Sequence, residues 1–147
     1  MRSAKTLLAA AAVTLMLGPV AAFAETLQFS AILAGTDEVP PNDSAATGTL
    51  EATFDTDTLL LSWTVSYEGL TGPAGAAHFH GPANVGENAS PVVPITGDLA
   101  SPIQGEATLT ADQATALQAG LLYFNIHTAQ FGGGEIRGQV VHAEMAM

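Results

Sequence analysis

The sequence predicts an all-β protein, an antiparallel β-sandwich or barrel of about eight strands with one short helix. Short segments of alternating apolar and polar residues recur along the chain, and clusters of Gly, Pro, Asn and Asp separate them. Such spacing is typical of strands that run back and forth in one sheet or sandwich. The chain contains no cysteine, so its stability has to come from a buried core and not from disulfides.

The strand pattern occurs in eight successive segments, each of which ends at a turn. The first three are TLQFSAILAG, ATGTLEATF and LLLSWTVSYEG, separated by TDEVPPND and by the acidic turn DTDT. The remaining five are AAHFHGPA, SPVVPI, GEATLT, LLYFNIHT and GEIRGQVVH. Only TADQATALQAG has helical features, because Thr110 or Asp112 can cap its start and Gly120 can end it. The alternation places Trp63 and Phe124 on core-facing positions.

The first 24 residues have the pattern of a secretory signal peptide. Arg2 and Lys5 precede an apolar run that is short for a membrane helix, and Ala22, Phe23 and Ala24 form an A-x-A cleavage site. We therefore predict a signal peptide over residues 1–24 and a single domain over residues 25–147. The mature protein is expected in the periplasm or the medium, with no membrane insertion after cleavage.

The charge of the predicted mature chain restricts its partners. Arg137 is then the only Lys or Arg against 14 acidic residues, which is a net charge of about −13. Nucleic acids and anionic lipids need cations to replace their counterions, so we expect neither as a partner. The acidic surface attracts cations and basic proteins instead, and an unknown protein partner stays open.

The stretch AAHFHG concentrates two of the four histidines on one strand. Side chains alternate in a strand, so His78 and His80 share one face while Phe79 occupies the other. The last two predicted strands carry similar polar rows, because Asn125 shares a face with His127, and Glu135 shares one with Arg137. If these strands are neighbours, their polar rows lie about 4.8 Å apart and can form one cluster.

This cluster has two interpretations. His78, His80 and His127 could hold a copper or zinc ion, because imidazole suits both metals. Asn125, Glu135 and Arg137 would then lie around the ligands, with Glu135 close to His127 and able to orient one ring. Alternatively, all six residues form a buried hydrogen-bond network that fixes the strand register and has no further role.

Three separated stretches also give the chain a resemblance to a known family. They are LAGTDEVPPNDSAATGTLEATFD, AAHFHGPANVGENASPVV and LLYFNIHTAQFGGGEIRGQV, in this order. Over residues 26 to 141 the chain resembles the CHRD domain, a module named for its repeated occurrence in chordin. Gly132 stands where the family motif has a proline, which should loosen that turn. The positions that match the family's motifs are Glu38, Pro40, Pro41, His78, His80, Gly81, Asn125, His127, Gly134, Glu135, Arg137 and Gly138.

The resemblance implies a β-rich fold but little biochemistry, so function is inferred from the cluster itself. We expect an exported binding protein whose cofactor is a copper or zinc ion, and we expect no catalytic residues. The alternative is a module that binds another protein and uses the His, Glu and Arg side chains only structurally. A metalloenzyme similar to superoxide dismutase has less support. Its two-metal centre needs more than four histidines, and a net charge near −13 repels superoxide.

The leader pattern makes a direct prediction about the exported protein. Cleavage after Ala24 should leave Glu25 as the first residue, because the A-x-A motif ends there. Mass spectrometry of the protein recovered from the periplasm or the medium measures this terminus. A recovered chain that still begins with Met1, or one that is extracted only with membranes, would contradict both the predicted export and the charge of the mature chain.

Overall fold

In a computed structural model, the structure of the chain is described for residues 10–143. Residues 10–24 form neither helix nor strand and are exposed, and the folded domain begins with the first strand. The basic residues Arg2 and Lys5 of the predicted signal peptide lie outside the described residues. The limits of the leader therefore stay a prediction.

Eight antiparallel strands form one sheet, which confirms the predicted all-β fold. The elements are β1 (Thr26–Ala34), β2 (Thr47–Asp55), β3 (Leu60–Glu68), β4 (Ala76–His80), β5 (Pro91–Pro94), β6 (Ile103–Thr108), α1 (Ala111–Gln118), β7 (Leu122–His127) and β8 (Ile136–His142). The order of the strands across the sheet is β5-β4-β7-β8-β1-β2-β3-β6. Four sequential pairs are neighbours in the sheet, namely β1–β2, β2–β3, β4–β5 and β7–β8, and the last pair is the one that its short connection predicts.

The sheet curls into a nearly closed barrel around one apolar core. Trp63 on β3 and Phe79 on β4 lie near opposite ends of the strand order, yet their ring centroids are 5.1 Å apart. Phe79 also contacts Phe124 of the neighbouring strand β7, at 5.0 Å between centroids. Trp63 and Phe124 are both buried, as the alternation predicts. Other buried side chains of this core are Phe29, Leu33, Leu50, Phe54, Leu61, Val65, Leu122, Ile126, Ile136 and Val140.

The single helix α1 lies where the sequence predicts it and is held by its own cap. The Thr110 hydroxyl accepts from the Gln113 backbone N–H at 3.2 Å, and the Gln113 side chain accepts from the Thr110 N–H at 2.9 Å. Gly120, with a φ of +72°, follows the end of the helix. Of the two possible caps, Thr110 is the one used. In residues 10–143 no helix is long and apolar enough to cross a membrane.

The outer face of β4, β7 and β8 carries the predicted polar rows. These three strands are neighbours, and the register places His78 opposite Asn125 and Asn125 opposite Arg137. The same register places Ala76 opposite His127. Loops cover this face, so polar side chains on the outside of the barrel are largely removed from water. The candidate site is therefore a buried polar layer between the sheet and its loops.

The aromatic core contacts predict the effect of truncating Trp63. Trp63→Ala should lower the free energy of unfolding by about 3–5 kcal/mol, because a large cavity replaces the ring that packs on Phe79. Urea unfolding monitored by circular dichroism measures this loss. Ser66→Ala, an exposed change on the same strand, serves as the control and should cost less than about 0.5 kcal/mol. A loss of only a few tenths of a kcal/mol for Trp63→Ala would mean that the ring does not fill the core.

Candidate metal centre

The three predicted histidines meet on the outer face of β4 and β7. One ring nitrogen from each of His78, His80 and His127 can be chosen so that all three atoms lie within 4.8 Å of one another. His80 is buried, while His78 and His127 are half-buried. The cluster therefore has a closed side at His80 and a side open to solvent at the other two rings.

Backbone carbonyl oxygens orient two of the three rings. His80 Nδ1 lies 2.9 Å from the carbonyl oxygen of Ala89, and His127 Nδ1 lies 3.0 Å from that of Gly132. A carbonyl oxygen only accepts, so each Nδ1 carries the hydrogen of the neutral ring. The lone pair is then on Nε2 in both rings. Metal-binding histidines are commonly held in this way, with one nitrogen bonded to a carbonyl and the other directed at the ion.

The spacing of two of the ring nitrogens is compatible with one ion. His78 Nδ1 and His127 Nε2 are 3.2 Å apart, and two ligands of a tetrahedral Zn²⁺ at about 2.0–2.1 Å lie roughly 3.3 Å from each other. The same 3.2 Å also suits a direct hydrogen bond, in which His78 Nδ1–H donates to His127 Nε2. His80 Nε2 is buried and has no hydrogen-bond partner within the described residues. A buried acceptor without a partner is costly, and a coordinated cation would remove that cost.

The electrostatic environment keeps two of these rings neutral. Burial lowers the pKa of His78, and the nearby His127 and His80 lower it further. Burial also lowers the pKa of His80, by more than the Ala89 carbonyl and the Asn125 side chain raise it. Both pKa values fall below the ordinary 6.5, so both rings are neutral at neutral pH. Neutral imidazole is the form that binds metal ions, so no proton has to be displaced.

Arg137 and Asn125 are part of the buried layer, as the strand alternation predicts. Arg137 is 2% exposed, and its guanidinium carbon lies 3.4 Å from the centroid of the Tyr123 ring. His80 on the neighbouring strand β4 stacks on the same tyrosine, with 4.7 Å between the two ring centroids. Asn125 is buried between β4 and β8, and its side-chain oxygen has no hydrogen-bond partner within residues 10–143. Tyr123 shares this face with Asn125 by the same two-residue alternation, but no sequence signal indicated its contacts with His80 and Arg137.

Glu135 does not take the expected place beside Arg137 and His127. Its carboxylate accepts hydrogen bonds from the hydroxyls of Thr128 (2.6 Å), Ser44 (2.7 Å) and Thr71 (2.9 Å), and from the Thr71 backbone N–H (2.9 Å). Burial alone would raise the pKa of Glu135, but these bonds lower it below the ordinary value. The residue lies in the turn before β8, so strand alternation does not set its direction. Glu135 therefore joins three loops and orients no histidine ring.

Glu38 is a buried carboxyl group that reasoning about the cluster missed. It follows a short turn after β1 and is 5% exposed. Burial raises its pKa to about 7, against the opposing effects of Arg137 and Asn125. Gly134, with a φ of +128°, packs so closely on Glu38 and Asn125 that a side chain there would collide with both. The only sequence signal for Glu38 was its place in the stretch DEVPP, which does not indicate burial.

Comparison with known proteins identifies one family. A family model described as the CHRD domain matches residues 29–140, which is most of the chain. The matched region contains the three histidines, all of β4 and β7, and β8 as far as Val140. No curated protein and no solved structure matches the chain.

The raised pKa of Glu38 predicts a pH-dependent effect of Glu38→Gln. The folded-state pKa of about 7 exceeds the ordinary 4.5, so the wild type loses stability as the pH rises between these values. Gln mimics the protonated acid, so Glu38→Gln should be more stable than the wild type by about 3 kcal/mol at pH values above about 7. At a pH of about 4.5 the two should differ little. Urea unfolding at several pH values measures the difference.

The control for Glu38→Gln is Glu51→Gln, which makes the same change on the exposed face of β2. It should not reproduce the gain in stability above neutral pH. If Glu38→Gln shifts stability equally at acidic and basic pH, then Glu38 does not titrate in the folded protein near pH 7.

Proposed function

The chain belongs to the CHRD domain family, and we propose that it is an exported binding module that holds a copper or zinc ion through His78, His80 and His127. The observation that carries this proposal is the state of His80 Nε2. This atom is buried, has no hydrogen-bond partner within the described residues, and belongs to a ring whose Nδ1–H is fixed on the Ala89 carbonyl. A ligand nitrogen of each of the other two histidines lies within 4.8 Å of a ligand nitrogen of His80.

The chemistry of the donor set supports copper or zinc over other metals. Imidazole is a good ligand for both ions, whereas Mg²⁺ and Ca²⁺ prefer oxygen. The chain has no cysteine, so thiolate ligands are excluded. Three protein ligands would leave a fourth position, which we expect on the solvent side because the rings of His78 and His127 are half-exposed. The predicted net charge of about −13 favours the capture of a cation.

A protein-interaction module with a purely structural cluster is the second candidate. The observation that favours it is the distance of 3.2 Å between His78 Nδ1 and His127 Nε2, which a hydrogen bond alone explains. A centre like that of copper–zinc superoxide dismutase has less support. The fourth histidine, His142, packs against Phe29 at 4.4 Å between centroids and is not part of the cluster.

Export is proposed from the leader pattern over residues 1–24. In the described part of that segment, residues 10–24 add no strand to the sheet, and their apolar side chains are exposed. The periplasm or the medium would then be the place where the module meets its metal ion.

Isothermal titration of the mature protein with Cu²⁺ and with Zn²⁺ tests metal binding. We expect the wild type to bind one ion, and the variant His78→Ala/His80→Ala to lose about 100-fold or more in affinity, because two of three ligands are removed. His142→Ala is the matched control, since it removes a histidine outside the cluster and should leave the affinity unchanged.

The contrary result is equally specific. If the wild type binds neither ion more tightly than His78→Ala/His80→Ala does, the histidines are structural and the interaction module becomes the better reading. If His142→Ala lowers the affinity as much as the double variant does, the binding site is elsewhere.

A further inference from the structure

Three side chains form a stacked column on the outer face of β4, β7 and β8. The rings of His80 and Tyr123 are parallel within 4°, with their centroids 4.7 Å apart. The guanidinium carbon of Arg137 lies 3.4 Å from the centroid of the Tyr123 ring. β4 and β8 flank β7 on opposite sides, so His80 and Arg137 approach Tyr123 from its two sides. We call His80, Tyr123 and Arg137 the stacked column.

A covering loop holds one end of this column through a single residue. The carbonyl oxygen of Ala89 accepts hydrogen bonds from His80 Nδ1 at 2.9 Å and from the Tyr123 hydroxyl at 3.1 Å. The Ala89 N–H is also 3.2 Å from the Tyr123 hydroxyl oxygen. The ligand ring and the tyrosine are thus tied to the same peptide group.

The same loop holds the other end of the column. Arg137 donates to the Glu87 carbonyl oxygen at 2.6 Å and to the side-chain oxygen of Asn88 at 3.1 Å. Asn88 in turn donates to the Val39 carbonyl oxygen at 3.0 Å, which anchors the loop on the segment after β1. Residues 87–89 therefore connect all three members of the column, although residues 87 and 88 are exposed.

On the basis of the proposed metal site, we propose that Tyr123 and Arg137 are positioning residues for His80. A single hydrogen bond at Nδ1 leaves an imidazole free to swing about that bond. A parallel ring on its face removes this freedom, and the guanidinium on the far side of Tyr123 keeps that ring in place. The column thus holds the His80 ring in one orientation beside the other two histidines. Removing a group that orients a metal ligand commonly lowers the metal affinity by about 10–100-fold.

Two substitutions of Tyr123 separate the stacking ring from its hydroxyl. Tyr123→Leu removes the stack, so we expect a loss of about 10–100-fold in Cu²⁺ or Zn²⁺ affinity by titration. Tyr123→Phe keeps the ring and should retain affinity to within about 3-fold, because His80 still donates to Ala89. Val140→Ala is the control for a loss of stability, since this core residue on β8 faces away from the column. It should leave the affinity unchanged.

The His80 ring of the metal-free protein provides a readout that does not depend on metal binding. Long-range ¹H–¹⁵N nuclear magnetic resonance spectra report which ring nitrogen carries the hydrogen. We expect wild type, Tyr123→Phe and Val140→Ala to keep the hydrogen on Nδ1. Tyr123→Leu should show both forms, because a ring without the stack also swings off the Ala89 carbonyl that holds the hydrogen on Nδ1. If Tyr123→Leu does not fold, the exposed change Asn88→Ala replaces it, because it frees one arm of Arg137. It should lower the metal affinity by about 3-fold or more.

The outcomes distinguish the two proposals. Weak metal binding by Tyr123→Leu with a mixed His80 ring supports positioning. Positioning is overturned if Tyr123→Leu keeps the wild-type metal affinity and a single ring form. The same result for Asn88→Ala overturns it if Tyr123→Leu does not fold. If the wild type binds no metal but Tyr123→Leu still mixes the ring forms, positioning stands and the metal proposal fails. If Val140→Ala weakens binding as much as Tyr123→Leu does, the effect is one of stability and positioning is overturned.

Discussion

The packing of Phe79 in the core determines which face of β4 carries two of the three clustered histidines. This ring contacts Trp63 from across the barrel and Phe124 from the neighbouring strand, so β4 cannot rotate about its own axis. Because side chains alternate along a strand, fixing Phe79 inward fixes His78 and His80 outward. Phe124 has the same effect on β7, where its neighbours Tyr123 and Asn125 face outward. The direction in which the side chains of the site point therefore depends on how the core aromatic rings pack.

A second feature follows from the first, because a polar row on the outside of a barrel would normally be solvated. Here loops cover it, so each polar group needs a partner from the protein. Most of these partners are backbone carbonyl oxygens, such as those of Ala89 and Gly132, and not carboxylates. Burial keeps the pKa of His78 and of His80 below the ordinary value, so both rings are neutral at neutral pH, which suits the binding of a cation. The one acidic residue that joins these loops, Glu135, is saturated by hydroxyl groups and the Thr71 backbone N–H and does not reach the cluster.

The same hydrogen bonds would serve a metal site and a structural network, and the two interpretations differ at one atom. His78 and His127 can satisfy each other, but His80 Nε2 is left without a partner in the described chain. A network selected only for stability would gain from filling that position with a donor. The covering loop instead bonds to the Nδ1 side of the ring and leaves the buried Nε2 without a partner. This asymmetry is the physical reason for preferring a cation site.

The sequence by itself determined the strands, the position of the helix, the core positions of Trp63 and Phe124, and the common face of His78 and His80. These features depend on the two-residue period of a strand or on the residues at the start of a helix, and both can be recognised from residues close together in the sequence. The tertiary structure decided the partners of those side chains. Glu135 lies in a turn, where alternation does not apply, and the carbonyl groups that orient His80 and His127 have no side-chain signature. The burial of Glu38 likewise depends on a loop that folds over from elsewhere in the chain, and no local pattern encodes such a contact.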